Sequence, residues 1–155
     1  DIEELEKLTQ LERLNVSNNR LTDVKGLEKR TKLTYLNIGN NNLTEVKGIE
    51  TLTQLTTLSL SDNNLTSAKS LERHTKLTIL FLNNNELTSV KGLGKLTQLE
   101  MLHLGGNQLT DLQDLQILTG LKKLNLKDNP EITQEQITEL QKALPNCKID
   151  SSPKT

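Results

Sequence analysis

Two imidazoles, His74 and His103, and one thiol, Cys147, are the residues of this 155-residue chain best suited to nucleophilic, acid–base or metal chemistry near neutral pH. Catalysis needs such groups converging with a base, an oxyanion site or a metal. A lone cysteine excludes an internal disulfide framework and a cysteine-rich zinc site. No Walker loop, dinucleotide-binding glycine pattern, H-E-x-x-H or G-x-S-x-G occurs in the chain. Gly105-Gly106 reads as a turn pair, because no helix signal follows it. Carboxylates are plentiful, but Glu28, Glu50 and Glu72 recur beside Lys25, Lys47, Lys69 and Lys91, the pattern of a mutually screened, solvated surface. No catalytic residue, metal ligand or cofactor is assigned, and the chain is expected not to be an enzyme.

The elements that would position any site follow from composition and period. Hydrophobic residues make up 33 %, below the roughly 45–50 % apolar usage of globular chains. Leucine supplies 33 of them, beside one Tyr, one Phe, one Met and no Trp. An almost purely aliphatic core points to a repetitive architecture, and a 22-residue period runs through the chain. Leu11, Leu33, Leu55, Leu77, Leu99 and Leu121 form one column; Leu14, Leu36, Leu58, Leu80, Leu102 and Leu124 stand three residues on. Val16, Ile38, Leu60, Leu82, Leu104 and Leu126 follow, then Asn19, Asn41, Asn63, Asn85, Asn107 and Asn129. Each unit reads L-x-x-L-x-L-x-x-N-x-L-T-x-V-x-x-L. In Arg13-Leu14-Asn15-Val16-Ser17 the alternation sends Leu14 and Val16 inward and the polar residues outward. Stacked copies predict a parallel sheet with one solvated face, and short turns or 3-10 pieces opposite it. The Asn column is expected to satisfy buried backbone groups where the chain leaves each strand. The column Leu8, Arg30, Leu52, His74, Leu96, Leu118 alternates apolar and polar, consistent with an ancestral 44-residue doubling.

These columns resemble the leucine-rich repeat over residues 2 to about 130. The V-K-G-L step at Val24–Leu27, repeated at Val46–Ile49 and Val90–Leu93, is similar to the 22-residue repeats of protein-phosphatase-1 regulatory subunits. Bacterial internalins share the period but typically carry Pro where this chain has Gly or Ser. The resemblance implies an α/β solenoid, a right-handed curved array with a parallel concave sheet, and no particular partner, since the scaffold serves many. A phosphatase catalytic subunit is the partner that the regulator resemblance implies; no contact residues carry over, because the match lies in framework columns.

One domain is expected over 1–150: a partial repeat at 1–10, 22-residue repeats at 11–130 and a C-terminal cap at 131–150. A loose tail follows at 151–155. Ile2, Leu5 and Leu8 fit a preceding unit whose strand is absent, so the chain starts in mid-repeat and Arg13–Ser17 is an uncapped edge open to pairing with another chain. A segment upstream of Asp1 is expected, and a cleaved signal peptide is compatible with it. Thr133-Gln-Glu-Gln136 is a capping box, with Ile132 and Ile137 at the staple positions and Pro145 as the stop. Cys147 and Ile149 then alternate as a last short strand. A single cysteine fits a reducing compartment such as the cytoplasm, while secretion or display on a bacterial surface stays open.

The outward strand columns are where the chain departs from framework needs. One runs Arg13, Tyr35, Thr57, Ile79, Met101, Lys123, and the next Asn15, Asn37, Ser59, Phe81, His103, Asn125. The third runs Ser17, Gly39, Ser61, Asn83, Gly105, Lys127. The single Tyr, Phe and Met all fall there. Partner-binding residues are therefore expected at Tyr35, Asn37, Ser59, Ile79, Phe81, Asn83, Met101, His103, Lys123 and Asn125, with a protein or peptide as partner. Against this stands the plainer reading that Phe81 merely fills a gap over Ile79 and Met101. Two other roles are compatible: a ligand-sensing segment of a larger signalling protein, and a surface receptor or adhesin for glycans. Nineteen basic against 20 acidic residues give a net charge of −1, which excludes binding driven by phosphate neutralisation. No apolar run approaches the ~18 residues of a membrane span.

Overall fold

The computed structural model describes residues 9–154. The partial repeat of Ile2, Leu5 and Leu8 lies outside the described residues, whereas the expected edge at Arg13–Ser17 lies within them and holds the first strand of the described sheet. Seven three-residue strands follow in order: β1 (Arg13–Asn15), β2 (Tyr35–Asn37), β3 (Thr57–Ser59), β4 (Ile79–Phe81), β5 (Met101–His103), β6 (Lys123–Asn125) and β7 (Lys148–Asp150). They form one parallel, curved and unclosed sheet in sequence order. Each register is a shift of one repeat, so Leu14 faces Leu36, Leu36 faces Leu58, and Leu124 faces Ile149 at the end. From β2 to β6 the central leucine is buried and its two neighbours point to the solvated side. Burial of each such side chain contributes about 1.5–3 kcal/mol, and the leucine columns merge into one continuous core.

The asparagine column is a hydrogen-bonded ladder. Asn63 Nδ2 donates to Ile38 O and Leu60 O at 3.1 Å, and its Oδ1 accepts from Leu43 N at 3.0 Å. Asn85, Asn107 and Asn129 repeat the pattern one unit further along each time. Immediately before it stands a second column that the repeat pattern did not single out: Asn18, Asn40, Asp62, Asn84 and Asp128, all at φ between 53° and 59°, with Gly106 at 68°. Asn, Asp and Gly are the residues that enter the left-handed region most readily, and this conformation turns the chain out of each strand.

The opposite side carries 3-10 turns at Lys69–Leu71, Leu93–Lys95 and Gln113–Leu115. Gly92, at φ 93°, lies so close to the previous repeat that a Cβ would stand 2.8 Å from Lys69 Cα. The glutamate column does more than screen lysines there: Gly26 N and Gly48 N donate to the carboxylates of Glu28 and Glu50 at 2.8 and 2.7 Å. These bonds to backbone N–H hold the Glu28 carboxyl below its usual pKa. Arg30 and His74 are as deeply buried as Leu52 and Leu96 in the same column.

Helix α1 (Gln134–Ala143) closes the far end. Its capping box is complete, Thr133 Oγ1 accepting from Gln136 N and Gln136 Oε1 from Thr133 N. Ile132, Ile137, Leu140, Leu144 and Cys147 are buried beneath it, and burial raises the Cys147 thiol pKa. Residues 151–154 are not loose. Asp128 N donates to Ser152 Oγ at 2.9 Å, and Lys154 N donates to Ile132 O at 2.7 Å, which ties the segment to the cap. Small polar residues suggest a tail by composition, but here the Ser152 hydroxyl, the Lys154 backbone N–H and the Lys154–Glu131 ion pair at 3.3 Å hold it in place.

Candidate functional site

Strand register brings the unusual outward residues together. Ile79 lies opposite Met101 and Phe81 opposite His103. Ser59 flanks Phe81 on one side, and Asn125 flanks His103 on the other. The Phe81 and His103 rings stack with centroids 4.8 Å apart and planes 23° from parallel, close to the ~4.8 Å spacing of neighbouring strands. The four residues shield one another, so each is half-buried. Among the described residues the exposed large hydrophobic is Ile117, at 61 %, on the turn side.

Tyr35 stands apart from this cluster, two strands from Ile79 with Thr57 between them. Its ring lies under the Arg13 guanidinium, 4.2 Å from the centroid, a cation–π contact. A groove of about 510 Å³ crosses the concave face and gathers Tyr35, Asn37, Ser59, Phe81, Asn83, His103 and Asn125. Ile79, Met101 and Lys123 lie outside its lining, at the strand starts. Asp62, Asn84, Gly106 and Asp128 line its other wall; these belong to the left-handed column, whose Asn/Asp/Gly composition at 22-residue spacing was the signal for them. A larger hollow of about 710 Å³ lies on the turn side, lined by Lys47, Glu50, Lys69, Glu72 and Arg73 among others. Its charges are mixed and it has no aromatic anchor, so volume does not make it the better site.

The polar rim is partly committed to structure. Asn37 Oδ1 accepts from Gly39 N and Asn125 Oδ1 from Lys127 N, both at 2.9 Å, in local Asx-type turns. Asn83 Oδ1 accepts from Ser61 Oγ at 2.7 Å. Burial lowers the His103 pKa, Lys123 adds to the effect and Asp150 opposes it, so a neutral imidazole stacks on Phe81 near pH 7. His74 belongs to the interior: Nδ1 lies 3.2 Å from Leu52 O, and the buried Nε2 has no hydrogen-bond partner among the described residues. Among the described residues no group of three His, Cys, Asp or Glu could hold a metal ion, and no helix is long and apolar enough to cross a membrane.

Family models for leucine-rich repeats match residues 31–73, 75–117 and 97–142 as paired copies, and residues 10–29 as a single repeat. The chain belongs to the leucine-rich-repeat family. Among solved structures, this leucine-rich-repeat chain is similar to an internalin (inlF) of Listeria monocytogenes, at 28 % identity over 99 % of its length with a TM-score of 0.92. Internalin C2 of the same organism shares 30 % identity over 97 %, with a TM-score of 0.88. A leucine-rich-repeat protein of Leptospira interrogans shares 33 % over 95 %, with a TM-score of 0.87. The chain spans 45 %, 67 % and 38 % of these proteins respectively. No curated protein matches the chain. The repeats are thus of internalin type, on a scaffold commonly used for protein–protein interaction.

Proposed function

We propose that the chain is a non-enzymatic interaction module that holds a protein or peptide against its concave sheet. Phe81 is the central anchor, supported by Ile79, Met101 and His103 and rimmed by Asn37, Ser59, Asn83, Asn125 and Lys123. The observation that carries this reading is the Phe81–His103 stack on a solvated face, where inward positions already supply a complete aliphatic core. An apolar centre within a polar rim is the anatomy of a protein interface, and aromatic anchors supply most hot-spot energy. The test is affinity capture on immobilised wild type, Phe81→Ala and Ile117→Ser. A protein retained by wild type and Ile117→Ser but lost on Phe81→Ala supports the concave face. Loss on Ile117→Ser alone would move the site to the turn side.

A further inference from the structure

Resting on the concave-face reading, we propose that the segment held there is acidic, with an apolar side chain seated on Phe81 and carboxylates beside it over Lys123, Lys127 and Lys148. The chain as a whole has a net charge of −1, but its outward strand columns do not share that balance. Arg13, Lys123, Lys127 and Lys148 stand there against Asp150. Three of these cations gather at one end of the apolar cluster. Lys123 is opposite Met101 on one side and Lys148 on the other, while Lys127 lines the groove with His103.

All three are exposed. None is ion-paired to a carboxylate within 4 Å among the described residues, whereas Lys122 on the same segment closes on Glu100 at 2.7 Å. Lys123 and Lys148 are register partners, and like charges directly opposite on a sheet are unfavourable. A carboxylate bound across them relieves that repulsion and gains two attractions. The positive field is already felt by the site, since Lys123 helps hold His103 neutral. Asp128 follows Lys127 and lines the groove with it, so at this end three lysines stand against Asp128 and Asp150 and leave a positive surplus, while Asp62 lines the groove on the β3 repeat. Complementary charge of this kind supplies specificity and association rate more than raw affinity.

The test pans a phage-displayed library of random peptides on the full chain. Recovered clones are rebound to wild type, Phe81→Ala, and a variant carrying Lys123→Ala, Lys127→Ala and Lys148→Ala, each checked by its melting curve. Clones lost on Phe81→Ala should carry Asp or Glu close to an aliphatic or aromatic residue. They should bind the triple variant roughly tenfold more weakly, as expected for three exposed ion pairs, and weaken as salt shortens the Debye length from about 10 Å at 0.1 M to about 3 Å at 1 M. Combining Lys123→Glu with Lys148→Glu should turn the selection towards basic peptides. Neutral or basic clones that require Phe81 but ignore the lysines overturn the acidic assignment and leave the concave face standing. Clones indifferent to Phe81, or no clones at all, overturn both.

Discussion

Removing one rung of the asparagine ladder, by Asn63→Ala, isolates the hydrogen bonds that hold successive repeats together. Three carbonyls lose a donor: Ile38 O, Leu60 O and Ser61 O. All three are doubly served, since Ile38 O also accepts from Asn41 Nδ2 at 3.0 Å, Leu60 O from Asn85 Nδ2 at 3.0 Å and Ser61 O from Asn40 N at 2.8 Å. Leu43 N–H has no such reserve; it is buried, and its acceptor is Asn63 Oδ1. The cost is therefore set by one orphaned buried donor, about 1–3 kcal/mol, and does not multiply with the number of bonds drawn. For a chain of this size 1 kcal/mol moves the melting midpoint by about 2–4 °C. Asn63→Asp restores the acceptor for Leu43 N–H but points a carboxylate at three carbonyls. Its pKa should rise on folding, so the variant should be more stable below pH ~4 than at neutral pH. The assay is urea unfolding followed by far-UV circular dichroism, with amide hydrogen exchange at Leu43 as the local readout. An unchanged midpoint together with unchanged exchange at Leu43 would refute the ladder as a source of stability.

Deleting 132–155 removes α1 and β7, uncovers Leu124 and Leu126, and should produce aggregation or unfolding in size-exclusion chromatography; a monomer of undiminished stability would show that the helix is no cap. Deleting 151–155 alone removes the Ser152 and Lys154 bonds and should cost at most about 1 kcal/mol. Burial holds the His74 pKa below its ordinary value of about 6.5, the Leu52 carbonyl and Glu50 opposing the shift. The stability tied to His74 is thus fully present above pH ~6.5 and is lost as pH falls towards the lower folded pKa. Melting curves against pH should show that loss, and His74→Leu, matching Leu52 and Leu96, should reduce it to the part due to His103. An identical acid slope in both proteins would contradict this assignment.

The period was enough to read most of the framework. Inward and outward columns follow from alternation alone, because a parallel stack must place equivalent residues in equivalent sites. The asparagine ladder was equally legible, since an amide is the side chain that can donate to carbonyls and accept from an N–H at once. Arg30 and His74 were harder. Residue type says surface for an arginine, but the solenoid imposes burial by column, whatever residue occupies it. The wall formed by Asp62, Asn84 and Asp128 was missed because these residues look like generic loop polarity until their shared left-handed backbone is seen. The docked tail left no trace because its contacts to Asp128, Glu131 and Ile132 fall outside the repeat period and are not specified by it. At the site, the Phe81–His103 and Ile79–Met101 pairs followed from register, whereas the contact between Arg13 and Tyr35 depends on side-chain rotamers that spacing does not specify.

The most direct measurement is the affinity of a captured partner for wild type and Phe81→Ala, by isothermal titration calorimetry, beside the melting midpoints of the two proteins. If Phe81 anchors a partner on the concave face, the substitution should weaken binding by about 2 kcal/mol or more, roughly 30-fold, with little change in melting, because a half-buried outward ring supports little of the core. Unchanged affinity with a large fall in melting midpoint would contradict it and make Phe81 a packing residue.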